Sequence, residues 1–148
     1  MNLFEEGFHL KAKNGIEIDI PINAKVTILA GDGVNDKTKM IRSLSTILRL
    51  PHEIALCNVD KSKIVIVKDM DAYRLLINQK QTENYIVFID KFDLTDFRES
   101  IPFIKNSNNY FIICAHRTLP SCGQEADSIL EMHHDGLSYK PIPIKTYG

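Results

Sequence analysis

The chain has almost no net charge: 18 Lys plus Arg stand against 19 Asp plus Glu, which leaves −1 over 148 residues. Without a global field there is no electrostatic case for a nucleic-acid or anionic-membrane partner, and any anion site must be local. Long apolar runs are also missing. No stretch approaches the roughly 18 residues of a membrane span, and the opening MNLFEEGFHLKAK lacks the apolar segment of a secretory signal, so the expectation is a protein with no membrane span, cytoplasmic by default. Cysteine is scarce. Cys57, Cys114 and Cys122 are odd in number and show no C-x-x-C spacing, which reads as reduced thiols, with Cys57 and Cys114 in apolar runs that belong to a core. Repeats, low-complexity tracts and Pro/Gly-rich linkers are absent, so residues 1–148 read as a single domain.

What is present suits a globular domain. Apolar residues make up 44% and charged residues 25%, and the length allows a substantial core. FHLKA (8–12) and IEIDI (16–20) alternate apolar and polar residues across Lys13-Asn14-Gly15, predicting an antiparallel hairpin with one wet face. KVTILA (25–30), YIVFID (85–90) and YFIICAH (110–116) are near-continuous apolar runs, as expected of strands covered on both faces of a parallel sheet. IALC (54–57) and KIVIVKD (63–69) read as further strands. TKMIRSLSTILRL (38–50) places Met40, Ile41, Leu44, Ile47 and Leu48 at helical spacing before Pro51. A second helix is predicted near 71–80, N-capped by Asp71, with Tyr73, Leu76 and Ile77 on one face, and a third over 94–107 from Thr95 or Asp96. The tail 126–144 reads as two strands about an Asp135-Gly136 turn. Strands alternating with helices predict an α/β fold with a mostly parallel central sheet, an N-terminal antiparallel hairpin and C-terminal edge strands.

Ligands in such sheets bind beyond the carboxyl ends of the strands. Three strand ends here carry polar groups. The first leads into AGDGVNDKT, which matches the phosphate-binding pattern G-x-x-x-x-G-K-[ST] at Gly31, Lys37 and Thr38 but has Asp36 at the second glycine. In such a loop the backbone of Gly31, Asp32, Gly33, Val34, Asn35 and Asp36 and a helix N-terminus face an anion, Lys37 reaches the β/γ-phosphates, and Thr38 ligates Mg²⁺. The second ends at Asp90 after four apolar residues, the Walker B arrangement that holds the same metal. The third ends at His116-Arg117, where a histidine could sense the γ-phosphate or hold the attacking water.

On these residues the chain resembles a P-loop NTPase of three-layer α/β architecture, and its ends resemble the nucleotide-binding domains of the ABC ATPase class. The stretches that carry the likeness are NGIEIDIPINAKVTILAGDGVNDKT, IVFID and CAHRTLPSCGQEADSILEMHHDGL, the last similar to the switch-histidine segment followed by the "AD-R-I-x-x-L-x-x-G" strand, with Asp127, Ile129, Leu130 and Gly136 matching. The resemblance implies ATP with Mg²⁺ as ligand, and a strand order in which the strand after Walker B separates the Walker B and loop strands, so that His116 lies between Lys37 and Asp90.

The departures are specific. Only 53 positions separate Lys37 from Asp90, too few for the helical subdomain of an ABC protein, and no LSGGQ-like signature occurs. Lys91 stands where hydrolases of this kind carry the glutamate that polarises water, leaving Asp93 and Asp96 as the nearest substitutes. Asp36 at about 5 Å from a phosphate, at an effective dielectric near 20, meets repulsion of roughly 3 kcal/mol per unit charge, about a hundredfold in affinity. At the start of a helix the same carboxylate stabilises an empty loop. Two readings follow: a nucleotide-binding, ATPase-like protein with weak or absent hydrolysis, or a pseudo-NTPase that serves as an interaction module without nucleotide. Protein partners, including a second copy of the chain, have sheet edges at 8–20 and in the C-terminal strands to pair with. Cys114, His116, Cys122, His133 and His134 fall close together but match no zinc ribbon or finger spacing. Lys37, Lys39 and Arg42 read as a solvated face, with no RNP-like pattern to make them a nucleic-acid surface.

Overall fold

A computed structural model of the chain describes residues 6–22, 25–30, 34–79, 84–90, 104, 107–114 and 128–143. Strands β1 (Phe8–Ala12) and β2 (Glu17–Ile20) form the antiparallel hairpin expected across Asn14-Gly15. Gly15 adopts a φ of +99°, open to residues without a Cβ, and the Asn14 side chain accepts a hydrogen bond from the Ile16 N–H at 3.0 Å. Phe8, Leu10, Ile18 and Ile20 are buried while the alternate residues are not, which is the half-wet pattern of the sequence.

Strand β3 (Val26–Ala30) enters a second sheet. It lies between β7 (Tyr110–Cys114) and β8 (Ser128–Glu131), with β6 (Ile86–Ile89) beyond β7 and β5 (Ile64–Val67) at the edge. All four neighbouring pairs in the order β8-β3-β7-β6-β5 are parallel, and β11 (Ile142–Pro143) closes the other edge antiparallel to β8. The two-residue side-chain period divides this sheet's core cleanly. Leu29, Ile86, Phe88, Ile112 and Cys114 face one side; Val26, Ile28, Val87, Ile89, Phe111 and Ile113 face the other.

A helix serves each side. Helix α1 (Val34–Arg49) contributes Met40, Ile41, Leu44 and Ile47 to a core that also contains the hairpin residues Phe8, Leu10, Ile18 and Ile20, so both sheets share it. Phe8 meets Phe88 edge-on at 5.5 Å between ring centroids. On the opposite face α2 (Met70–Gln79) inserts Tyr73 edge-on against Phe111 at 5.3 Å. Asn109, buried beneath this face, accepts from the Tyr85 N–H at 3.1 Å and lies 3.3 Å from the Tyr73 hydroxyl, linking the start of β6 to α2.

Several expectations are corrected. α1 begins at Val34 rather than at 38, so Asp36 and Lys37 lie in its first turn and not in a preceding loop. The cap of α2 is Asp69, whose carboxylate accepts from the Ala72 N–H at 2.9 Å; Asp71 is exposed and makes only a 3.9 Å contact with Arg74. β4 (Ile54–Cys57) pairs antiparallel with β1 and belongs to the hairpin's sheet. The tail, expected as two strands, forms four short ones: β9 (His134–Asp135) and β10 (Ser138–Tyr139) pair antiparallel about the expected Asp135-Gly136 turn, with β10 parallel to β2, while β8 and β11 belong to the other sheet. The helix expected over 94–107 lies almost wholly outside the described residues. No helix among the described residues is long and apolar enough to cross a membrane.

Candidate functional site

Three neighbouring strands deliver polar groups to one end of the parallel sheet. β3 leads to the head of α1, β7 ends at Cys114, and β6 runs into Asp90. β7 therefore separates β3 from β6, the order implied by the family resemblance. Leu29 is the register partner of Cys114, and Ile89 that of Ile113, so the ends of all three strands are level.

Lys37 is 1% exposed, one of very few buried charged side chains among the described residues. Its position in the first turn of α1 puts an ammonium inside the fold at a helix N-terminus. Cys114 reports how close the groups stand. Burial pushes its thiol up to about 12, the Asp90 carboxylate adds to the rise, and the Lys37 ammonium opposes it. A thiol so placed is protonated at ordinary pH and is a poor nucleophile.

One oxygen of Asp90 is left over. Its Oδ1 is buried and has no hydrogen-bond partner among the described residues, although its backbone N–H donates to the Val67 carbonyl at 3.1 Å and fixes the residue against β5. Buried carboxylate oxygens are ordinarily paired, and a cation or ordered water is the usual way to satisfy one left over. Asp90 also lines a cleft of about 460 Å³ whose walls include Arg42, Ser45, Arg49, Ile66 and Lys68. Thr38, half-buried in the first turns of α1, is the hydroxyl on the loop side. The Asp90 carboxylate and the Thr38 hydroxyl are oxygen donors of the kind Mg²⁺ takes, while no group of three or more His, Cys, Asp or Glu among the described residues is placed to hold a metal ion.

Asp36 has a partner that the sequence does not suggest. Its Oδ1 lies 3.4 Å from Nδ1 of His134, so the carboxylate that departs from the loop pattern has a partner from the C-terminal hairpin. His134 figured in the sequence only as half of a His-His pair with unsuitable zinc spacing. Nothing local could have joined it to a residue 98 positions earlier.

Val34 and Asn35 begin α1. Gly31, Asp32, Gly33, Asp93 and His116 lie outside the described residues, so the rest of the expected loop and the residues expected to polarise water and to sense a γ-phosphate have no described geometry. Comparison of the chain with protein-family models and with curated protein sequences returns no match.

Proposed function

We propose that the chain is a compact three-layer P-loop domain that binds ATP with Mg²⁺ and hydrolyses it slowly or not at all. The observation that carries this reading is that Lys37, in the first turn of α1, and Asp90 both act on Cys114 where β7 and β6 end level with each other, with an Asp90 oxygen that has no partner among the described residues. Lys37 and the N–H groups at the head of α1 would bind phosphate oxygens, their partial positive charge reinforcing the ammonium. Thr38 and Asp90 would hold Mg²⁺, which when bound supplies charge neutralisation between the β- and γ-phosphates. The buried neutral thiol of Cys114 keeps the floor between them uncharged. Lys91 in the place of a water-polarising glutamate argues for low turnover, with Asp93 as its substitute and His116 as the sensor of the γ-phosphate.

The test is thermal. ATP with Mg²⁺ at a hundred times Kd should stabilise the protein by about 2.7 kcal/mol. The rise in Tm should vanish in Lys37→Ala and shrink in Asp90→Asn. No rise at millimolar ATP would sink the reading and favour the alternative, a pseudo-NTPase that acts as an interaction module in the cytoplasm, alone or paired with a second copy. A multiple-turnover phosphate-release assay then separates binding from hydrolysis, with His116→Ala and Asp93→Ala expected to abolish whatever slow turnover is present.

A further inference from the structure

Asp36 places a negative charge where a phosphate is to bind, and the fold surrounds that charge with a device that the loop motif does not contain. Nδ1 of His134 stands 3.4 Å from the Asp36 carboxylate, while Nε2 of the same ring stands 2.6 Å from the carbonyl oxygen of Gly136. A carbonyl can only accept, so Nε2 is the natural donor to Gly136 and Nδ1 is the ring nitrogen turned to the carboxylate; with a hydrogen on Nδ1 it donates to Asp36. The ring is held in this pose. It stacks on Tyr139 with 4.2 Å between centroids and 4° between planes, and the two residues are register partners across β9 and β10. Tyr139 is buried and is also paired through its backbone with Ile18 of β2, which anchors the hairpin to the N-terminal sheet.

We infer that His134 is a positioning residue for the nucleotide site: it draws the Asp36 carboxylate toward the C-terminal hairpin and offsets its charge, so that Lys37 and the head of α1 accept a nucleoside triphosphate without the second loop glycine. The inference rests on the function proposed above. An isolated Asp36 carboxylate would cost about a hundredfold in phosphate affinity; held against the His134 ring and turned toward the hairpin, it acts on the phosphate less. Asp36 and His134 therefore form one unit, and the effect of removing His134 depends on whether the carboxylate is present.

That dependence is the test. Binding of ATP with Mg²⁺ is measured by calorimetry for the wild type, His134→Ala, Asp36→Asn and the double variant. The expected result is a loss of tenfold or more in His134→Ala, affinity at or above wild type in Asp36→Asn, and no further effect of His134→Ala once Asp36 is Asn. His134→Gln, which keeps a polar side chain and gives up the stacked ring, replaces Ala if Ala impairs folding, and should lose affinity in the same conditional way. Without nucleotide, the Tm changes of the two single variants should fail to add in the double variant, which reports the pair independently of ATP. An equal loss of affinity in both Asp36 backgrounds, an unchanged affinity in His134→Ala, or additive Tm changes would each overturn the inference. If no variant binds ATP, Asp36→Gly included, the nucleotide reading fails and the positioning role falls with it; wild-type binding with a background-independent loss removes the positioning role alone.

Discussion

Asp90 and Cys114 each follow one member of the register pair Ile89–Ile113 on adjacent parallel strands, so a carboxylate and a thiol stand side by side at the end of the sheet. Burial is the larger reason why the thiol rises to about 12, and the carboxylate adds to it. The thiol, with an ordinary value of 9.0, is protonated in the folded chain across a pH range where it would ionise in the unfolded one. The stability this contributes is complete below about pH 9 and is lost as pH climbs toward 12. Iodoacetamide at pH 8 should accordingly leave Cys114 unmodified in the native protein and alkylate it in urea. Peptide mapping by mass spectrometry distinguishes the two. Labelling of the native protein at the rate seen in urea would mean that the end of β7 is open to solvent.

The strands of the central sheet were legible because burial on both faces leaves a distinct trace. VTILA, IVFI and YFIIC carry no alternation to mistake for a one-sided strand, and all three pair in parallel. The hairpin turn at Asn14-Gly15 and the Asp135-Gly136 turn were legible for a local reason, the need for residues that tolerate positive φ. IALC gave no comparable signal. A four-residue apolar segment does not say which sheet it joins, and its half-exposed residues pair with β1 at a sheet edge. The candidate site was legible as a set of strand ends, since Lys37 and Asp90 end up near the same thiol. The Asp36–His134 pair was not, because it depends on the C-terminal hairpin being carried beside α1, a tertiary event with no periodicity to announce it.

The two aspartates at the start of α2 offer a direct comparison. Asp69 accepts from the Ala72 N–H at 2.9 Å and so satisfies a donor that the helix leaves free, whereas Asp71 is exposed with a loose contact to Arg74. Asp69→Ala should cost about 1 kcal/mol and Asp71→Ala less than about 0.5 kcal/mol in urea unfolding. The reverse order would restore Asp71 as the cap.

Two glycines with positive φ separate steric from conformational demand. Gly7 has φ of +71°, and a Cβ there would lie 2.7 Å from the Ile20 carbonyl oxygen; Gly136 has φ of +59° with nothing within 4 Å of the same position. Gly136→Ala should cost only the conformational penalty, about 1 kcal/mol. Gly7→Ala adds a backbone clash where β1 begins, and should cost more than about 2 kcal/mol. Equal losses would mean that the chain entering β1 moves aside freely, which its hydrogen bond from Asn58 Nδ2 to the Gly7 carbonyl at 2.8 Å argues against.

The unpaired oxygen of Asp90 makes a prediction whose sign depends on magnesium. Burying a carboxylate oxygen without a partner costs about 1–3 kcal/mol or more, and an amide at the same place gives up the charge and much of that cost. Asp90→Asn should therefore raise Tm in EDTA, where the wild type has no cation to satisfy Oδ1. Adding millimolar Mg²⁺ with ATP should stabilise the wild type and narrow or reverse the difference, because the variant loses the anionic ligand for the metal. Cys114 supplies an internal check, since the Asp90 charge contributes to its raised pKa. In Asp90→Asn the thiol should ionise at lower pH, seen as faster alkylation above pH 9 in protein shown to be folded by circular dichroism. A lower Tm for Asp90→Asn in EDTA would show instead that the carboxylate is satisfied within the fold, and the metal site would lose its main structural support.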